Sequence, residues 1–381
     1  MSETQFIDYC QLTWSDVAKL PRTIPMVIPF GYKYNYDKLV YQLGYPTQIC
    51  CLPPIPFGWR GSSLAVEENV FSNFVTNILN NLHEDGFTNI YLLALSPQVL
   101  GTYVNIVILP NIPDIDAFPK DSESEKVIII PIGHTEQHGY HLPLSTDTVI
   151  IEAITQGIIN KAPMQATRVP VMPYGVSTHR TSFPGTLSIN GRVFEDFWLN
   201  VIDQLVGRGF NRFYLLSGHG GNCSFLVNVV KYAGEKHRRI FCATSWLYLS
   251  GPAGVSALEK YRRSKIGGMG HACELETSLI LYLNPELVNI ELVTDEIDFI
   301  ATPSYYMDWV EGGALIANPP WDDDTKTGAY GAGSLATSEH GKLWLEAAID
   351  EKVTHISEIQ EQYSRREARR ESGFGLWGRN T

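Results

Sequence analysis

The chain has no apolar run approaching the ~18–20 residues that a membrane-spanning helix needs. Its opening, MSETQFIDYC, lacks the basic-then-apolar pattern of a secretory signal. A soluble protein with no membrane partner is the expectation. Basic residues are also short: 29 Lys and Arg against 41 Asp and Glu leave a net charge of −12 at pH 7. Without a basic stripe to displace phosphate counterions, no nucleic-acid partner is expected. Cysteine is sparse, six residues in 381 with no CxxC pair. That excludes a disulfide scaffold and fits reduced thiols in a cytoplasm. Charged residues make up only 18% of the chain, whereas 44% is hydrophobic and 11% aromatic, enough for a sizeable core.

Against that background the pattern is one of alternation. Short apolar runs at 127–130 (VIII), 168–172 (RVPVM), 213–216 (FYLL) and 240–243 (IFCA) read as buried parallel strands. Between them, 148–161, 192–207 and 224–236 have helical spacing. The expected fold class is α/β, a mostly parallel sheet flanked by helices, with functional residues gathered at the carboxyl ends of strands.

The first hundred residues repeat this plan. VFSNFVTNILNNLHEDGFTNIYLL (70–93) aligns without a gap on VFEDFWLNVIDQLVGRGFNRFYLL (193–216), with ten identities in twenty-four positions. Upstream, MVIPFGYKYNY (26–36) matches IIIPIGHTEQH (128–138), and LPPIPFGW (52–59) matches VPVMPYGV (169–176). Residues 1–110 are therefore expected to be a degenerate, non-catalytic half-repeat of the same plan, 111–125 a linker, and 126–381 the catalytic domain. The apolar stripe on helix 70–82 should dock the first half against the second.

Chemistry concentrates in the second half. PIGHTEQHGYHLPLSTD (131–147) follows the strand VIII directly and offers Glu136 and His138, two apart and so on one face of an extended segment. Asp147 lies nine residues further, where a helix begins, placed either to cap that helix or to bridge two ions. SGHGGN (217–222) follows FYLL and offers His219; HACELETS (271–278) offers His271, Glu274 and Glu276. His271 and Glu274 are neighbours if that segment is helical. Imidazole and carboxylate together suit Zn²⁺, Mn²⁺ or Fe²⁺. His134, His141 and His179 read as supporting or loop residues, and His83, His237, His340 and His355 as solvated. On the internal alignment Tyr34 stands opposite Glu136, Tyr36 opposite His138 and Ser96 opposite His219, so the first half has no ligands.

These clusters in this order, with FPGT (183–186) between them and GAYGAGSLATSEHGKLWLEAA (328–348) after them, resemble the creatininase family of binuclear metal amidohydrolases. TWSDVAKL (13–20) resembles that family's opening. The resemblance implies two divalent ions (Zn, Mn or Fe), one held by Glu136 and His219, the other by His138, with Asp147 between them. In the family a glutamate two residues past the cluster's histidine completes the second site; here that position is Gly221. Glu274 is then the expected fifth ligand and Glu276 the runner-up. His271 matches the family's catalytic histidine, to be oriented by Glu274 or Glu276. A homo-oligomer is also implied.

The implied reaction is hydrolysis of a C–N bond in a small cyclic or linear amide by a metal-activated water, His271 protonating the leaving nitrogen. The resemblance also implies a site closed by two tryptophans. Trp246 matches one, but SKIGGMGH (264–271) offers no aromatic for the other, which counts against creatinine itself. The alternatives are cyclisation, lactone or dehydration chemistry in a biosynthetic pathway, and a metal-free scaffold.

Overall fold

The computed structural model describes residues 4–94, 105–109, 117–178, 182–309 and 313–373. Ser96, His179 and much of the expected linker fall outside the described residues.

The first sheet is built from β1 (Gln5–Asp8), β2 (Met26–Pro29), β3 (Gln48–Cys51), β4 (Ile90–Ala94) and β5 (Asn105–Ile108), all parallel, in the order β1-β3-β2-β4-β5. Its helices are α1 (Trp14–Lys19), α2 (Tyr36–Gln42) and α3 (Glu68–Glu84). The second sheet holds β6 (Val127–Ile132), β7 (Ala166–Arg168), β8 (Arg212–Ser217) and β9 (Phe241–Thr244), again all parallel, in the order β7-β6-β8-β9. Here α4 (Thr146–Lys161), α5 (Gly191–Gly207) and α6 (Gly220–Lys236) make the crossovers. Central strands such as β6 are buried at every residue, as a sheet covered on both faces requires.

Beyond β9, α7 (Pro252–Tyr261) leads to β10 (Met269–His271) and α8 (Glu274–Leu283). β10 pairs antiparallel with β11 (Tyr330–Gly331), and the 34-residue α9 (Ser338–Glu371) closes the chain against α8, α7 and α4.

Among the boundaries that differ from the sequence reading, two bear on the site. The run RVPVM is not a strand throughout: β7 ends at Arg168, because Pro170 and Pro173 cannot donate to a ladder, and only Met172 makes a further bridge, to Ile132. Helix α6 begins at Gly220, four residues earlier than expected, so His219 is its N-cap.

The two halves share one apolar core. Phe57, Phe74 and Ile78 from the first half lie in the same buried cluster as Tyr174, Phe197 and Trp198 from the second. Segment 10–14 crosses over as well: Leu12 and Cys10 accept from the Leu144 and Ser145 amides, and the Trp14 indole donates to the Thr327 carbonyl at 2.7 Å.

Candidate metal centre

Three chain segments meet where β6, β8 and β10 end, and glycines make the meeting possible. At Gly133 a Cβ would lie 2.6 Å from the Thr148 Cα, and at Gly218 it would lie 2.3 Å from the Asp147 carbonyl oxygen. Both strand exits therefore pack directly on the start of α4, which carries Asp147. The third segment turns at Ala272, a non-glycine residue at φ 49° between His271 and α8. Such strained backbone needs surrounding structure to hold it.

The donors are buried. Glu136 and His138 are 0% exposed, Asp147 1%, His219 and His271 2% and Glu276 4%. Asp147 presents Oδ1 to His138 Nε2 at 3.3 Å and Oδ2 to His219 Nδ1 at 3.2 Å. Glu136 Oε1 lies 3.0 Å from His219 Nδ1 and 3.8 Å from His271 Nδ1. Glu276 Oε1 lies 3.9 Å from His138 Nε2. Three groups of closely converging donor atoms result: His134, Glu136 and His219; Glu136, His138 and His271; His138, Asp147 and Glu276.

The outer nitrogen of each ring fixes its tautomer. A main-chain carbonyl can only accept a hydrogen bond, so the ring nitrogen facing one carries the proton. His138 Nδ1 donates to the Glu136 carbonyl at 3.1 Å, His219 Nε2 to the Val176 carbonyl at 2.9 Å, and His271 Nε2 to the Gln137 carbonyl at 2.7 Å. In the neutral rings the remaining nitrogens then direct lone pairs at carboxylate oxygens. Lone pair against carboxylate is repulsive unless a cation or a proton sits between them. His138 Nε2 and Asp147 Oδ2 are buried without a hydrogen-bond partner, as metal-facing donor atoms are. The ring-to-carbonyl tether is also how proteins orient histidine ligands. The donor set fits a divalent cation.

His134 differs. Its Nδ1 accepts the Gly175 amide at 3.0 Å, so Nε2 bears the proton and faces Glu136 Oε2 at 3.7 Å. It is arranged to support Glu136 rather than to bind an ion.

Without a cation the cluster reads as protonated. Burial lowers the His219 pKa, but the Glu136 and Asp147 carboxylates outweigh it and hold the imidazole at about 9. His138 is likewise raised against its burial by Asp147, and Asp147 is held below its usual range by His138 and His219. His141, buried and beside His138, is pushed down to about 4.

Glu274, the expected fifth ligand, stands apart from the cluster. It is buried, but its carboxylate accepts the amides of Arg263 and Ser264 at 2.7–3.2 Å and joins none of the donor groups. Helix α8 begins at Glu274, so Glu276 is two residues, or about 200°, around it and points the other way, towards His138. The runner-up carboxylate is the one in the cluster. His271 lies on β10 rather than on α8, so it is not a helical neighbour of Glu274, and the Gln137 carbonyl tethers it.

Further residues escaped the sequence reading. Gln137 holds His271 through its carbonyl and reaches the Gly328 carbonyl through its side chain at 2.9 Å. Asn222 ties the Val176 amide to the Gly133 carbonyl; its place in SGHGGN was the only signal. Trp246 is 54% exposed, whereas Trp321 is buried with its ring edge-on to His271 at 5.7 Å. His355, expected to be solvated, is half-buried and hydrogen-bonded to Tyr214 at 2.7 Å.

Parallel strands feeding a buried imidazole–carboxylate cluster at their carboxyl ends define the class: an α/β protein whose buried donors could hold a metal ion. The chain belongs to the creatininase family, whose model, described as creatinine amidohydrolase, matches residues 113–356. It is similar to the creatinine amidohydrolase of Pseudomonas putida, 27% identical over 243 residues covering 58% of this chain and 85% of the relative. It is also similar to the mycofactocin precursor peptide peptidase of Mycobacterium ulcerans (strain Agy99), 29% identical over 243 residues, 60% of this chain and 84% of that one. In fold it matches a manganese creatininase structure with a TM-score of 0.52 at 23% identity, over 62% of this chain and 93% of that chain.

Proposed function

We propose that this protein is a binuclear metal-dependent amidohydrolase that hydrolyses a C–N bond in a small cyclic or linear amide. The observation that carries the reading is the set of three carbonyl-tethered histidines whose other ring nitrogens face Glu136, Asp147 and Glu276. On this reading Glu136 and His219 would hold one divalent ion and His138 and Glu276 the other, with Asp147 shared between them. Three carboxylates against two divalent cations leave one positive charge, suited to holding an anion. Ions bound there would supply an acidified water and polarise the substrate carbonyl.

The chain's own residues do the rest. Nδ1 of His271, unprotonated in the neutral tautomer and facing the cluster, would take the proton that the attacking water gives up and deliver it to the leaving nitrogen. Gln137 keeps that nitrogen aimed by holding Nε2. The substrates in the relatives' names, creatinine and a precursor peptide, both contain an amide-type C–N bond. The wall over His271 is Trp321, not Trp246, so a substrate of different shape from creatinine is expected.

The test is to load purified protein with Mn²⁺ or Zn²⁺, measure metal per chain, and assay small lactams, formamides and short peptides before and after chelation. Metal-dependent cleavage of an amide supports the reading. Turnover of esters or lactones only, or turnover unaffected by chelation, overturns it.

A further inference from the structure

We infer that the chain is a fused and desymmetrised dimer: residues 26–94 and 128–217 form equivalent units that pack on each other about an approximate two-fold axis between Phe74 and Phe197. The first unit has lost its donors and fills the place of a partner subunit.

Equivalence shows in the backbone. Shifting α3 by 123 residues reproduces both ends of α5, from Glu68–Glu84 to Gly191–Gly207. Each helix ends in the same way, with a left-handed glycine (Gly86 at φ 90°, Gly209 at φ 95°) and a bond from the next amide, Phe87 to Leu82 and Phe210 to Leu205. Register agrees too. Met26 pairs with Ile90 and Pro29 with Leu93, as Ile128 pairs with Phe213 and Pro131 with Leu216. At the strand exits the Gly31 amide bonds to Ile55 at 2.8 Å, and the Gly133 amide to Met172 at 2.9 Å.

The two-fold shows in the contact between the units. In an isologous interface residue i touches j while the partner's j touches i. The equivalent residues Phe74 and Phe197 meet each other, ring centroids 4.6 Å apart. Phe57 meets Phe197 at 6.1 Å, and its counterpart Tyr174 meets Phe74 at 6.2 Å. Polar contacts repeat the exchange. The Glu67 amide, at the start of α3, donates to Asn200 Oδ1 at 3.2 Å, and the Asn190 amide, at the start of α5, donates to Asn77 Oδ1 at 2.6 Å. Asn77 and Asn200 are equivalent, as are Glu67 and Asn190, so each helix caps the other. Two similar helices packed by chance would show one such contact, not its reciprocal.

Only one unit keeps its chemistry. Among the described residues every converging donor group lies outside the first unit. Tyr34, in the position of Glu136, instead donates its hydroxyl to the Leu93 carbonyl at 3.0 Å, tying the strand exit shut. The apolar face of α5 is thus covered from within the chain.

Two measurements on the full chain test this. Asn77→Ala and Asn200→Ala each remove one of the reciprocal caps, so both should lower the melting temperature by a similar few degrees. A loss confined to one of them overturns the equivalence. In native-state hydrogen exchange, the amides of 68–84 and 191–207 should open together, as one packed unit. Exchange of 68–84 while 191–207 stays protected would show that the first unit is an independent domain and overturn the fused dimer.

Discussion

Glu276 Oε1 lies 3.9 Å from His138 Nε2, while Glu274, two residues earlier, is bound to the amides of Arg263 and Ser264. The pair assigns different losses to two neighbouring acids. Glu276→Gln should remove about one equivalent of metal per chain, and Glu274→Gln should leave the metal content of the folded protein near that of the parent. Asp147→Asn, between His138 and His219, should cost both. Elemental analysis of the three variants decides between this arrangement and one in which Glu274 is the ligand.

His271 has its Nε2 on the Gln137 carbonyl and its Nδ1 3.8 Å from Glu136. If its work is proton transfer, His271→Ala should keep two equivalents of metal and lose roughly 10²–10⁴-fold in kcat. Loss of metal from the folded variant would instead make it a ligand. Measuring metal content and kcat on the same preparation separates the two roles.

How much of this could be read from the sequence differs by segment. Glu136, His138 and His219 were legible because each follows an apolar run that ends in a strand, and strand ends collect functional residues. Glu274 ranks ahead of Glu276 on the resemblance alone, with no geometry to order them. The choice between them depends on where α8 begins, and one residue of helix rotates a side chain by about 100°. Trp321 was invisible for another reason: it follows Pro319 and Pro320 in an irregular stretch, which long-range contacts such as Ser182 to Asp322 and Trp321 against Tyr330 bring to His271. Repeats were legible as aligned letters, but the reciprocal Asn77 and Asn200 contacts need three dimensions.

Metal binding should displace protons. His219 without a cation is held at about 9, because Glu136 and Asp147 outweigh its burial. A raised folded-state value stabilises the metal-free protein below the unfolded pKa of about 6.5, and that contribution is lost as pH climbs through 9. The metal-free protein should therefore lose melting temperature between about pH 6.5 and 9, and added Zn²⁺ or Mn²⁺ should restore it most at the upper end. Calorimetric titration at pH 7 in buffers of different ionisation enthalpy should show protons released on binding. Binding enthalpies independent of buffer would contradict a protonated cluster.

Gly218 places β8 against the start of α4, where an added Cβ would meet the Asp147 carbonyl oxygen at 2.3 Å. Backbone cannot rotate out of the way as a side chain can. Gly218→Ala should therefore shift Asp147, costing about 1–3 kcal/mol of stability as overpacking does and weakening metal binding as well. The same substitution at Gly207, where a Cβ meets nothing within 4 Å, is the control and should leave metal binding unchanged. Equal metal affinity in both variants would remove the proposed constraint on Asp147.

Asp85, at the carboxyl end of α3, accepts the Gly185 amide of the FPGT turn at 2.8 Å, and the next residue, Thr186, accepts the Gln137 amide at 3.2 Å. A first-half carboxylate thus supports the loop that positions His271. Burial raises its pKa to about 6, against the lowering effects of the Gly185 bond and Arg22. The sign follows from proton uptake: between about pH 4 and 6 the folded state binds the proton more tightly than the unfolded chain, so stability falls as pH rises through that window. Above it the penalty is complete, about 1–2 kcal/mol once partial exposure is allowed for. Asp85→Asn keeps an oxygen for the Gly185 amide without the charge. It should melt higher than the parent at pH 7.5, with the difference closing by about pH 4. Asp85→Ala, which removes the acceptor, should melt lower than Asp85→Asn at every pH and lower kcat through Gln137. Superimposable melting curves for parent and Asp85→Asn across pH 4–8 would show that the buried charge carries no such cost.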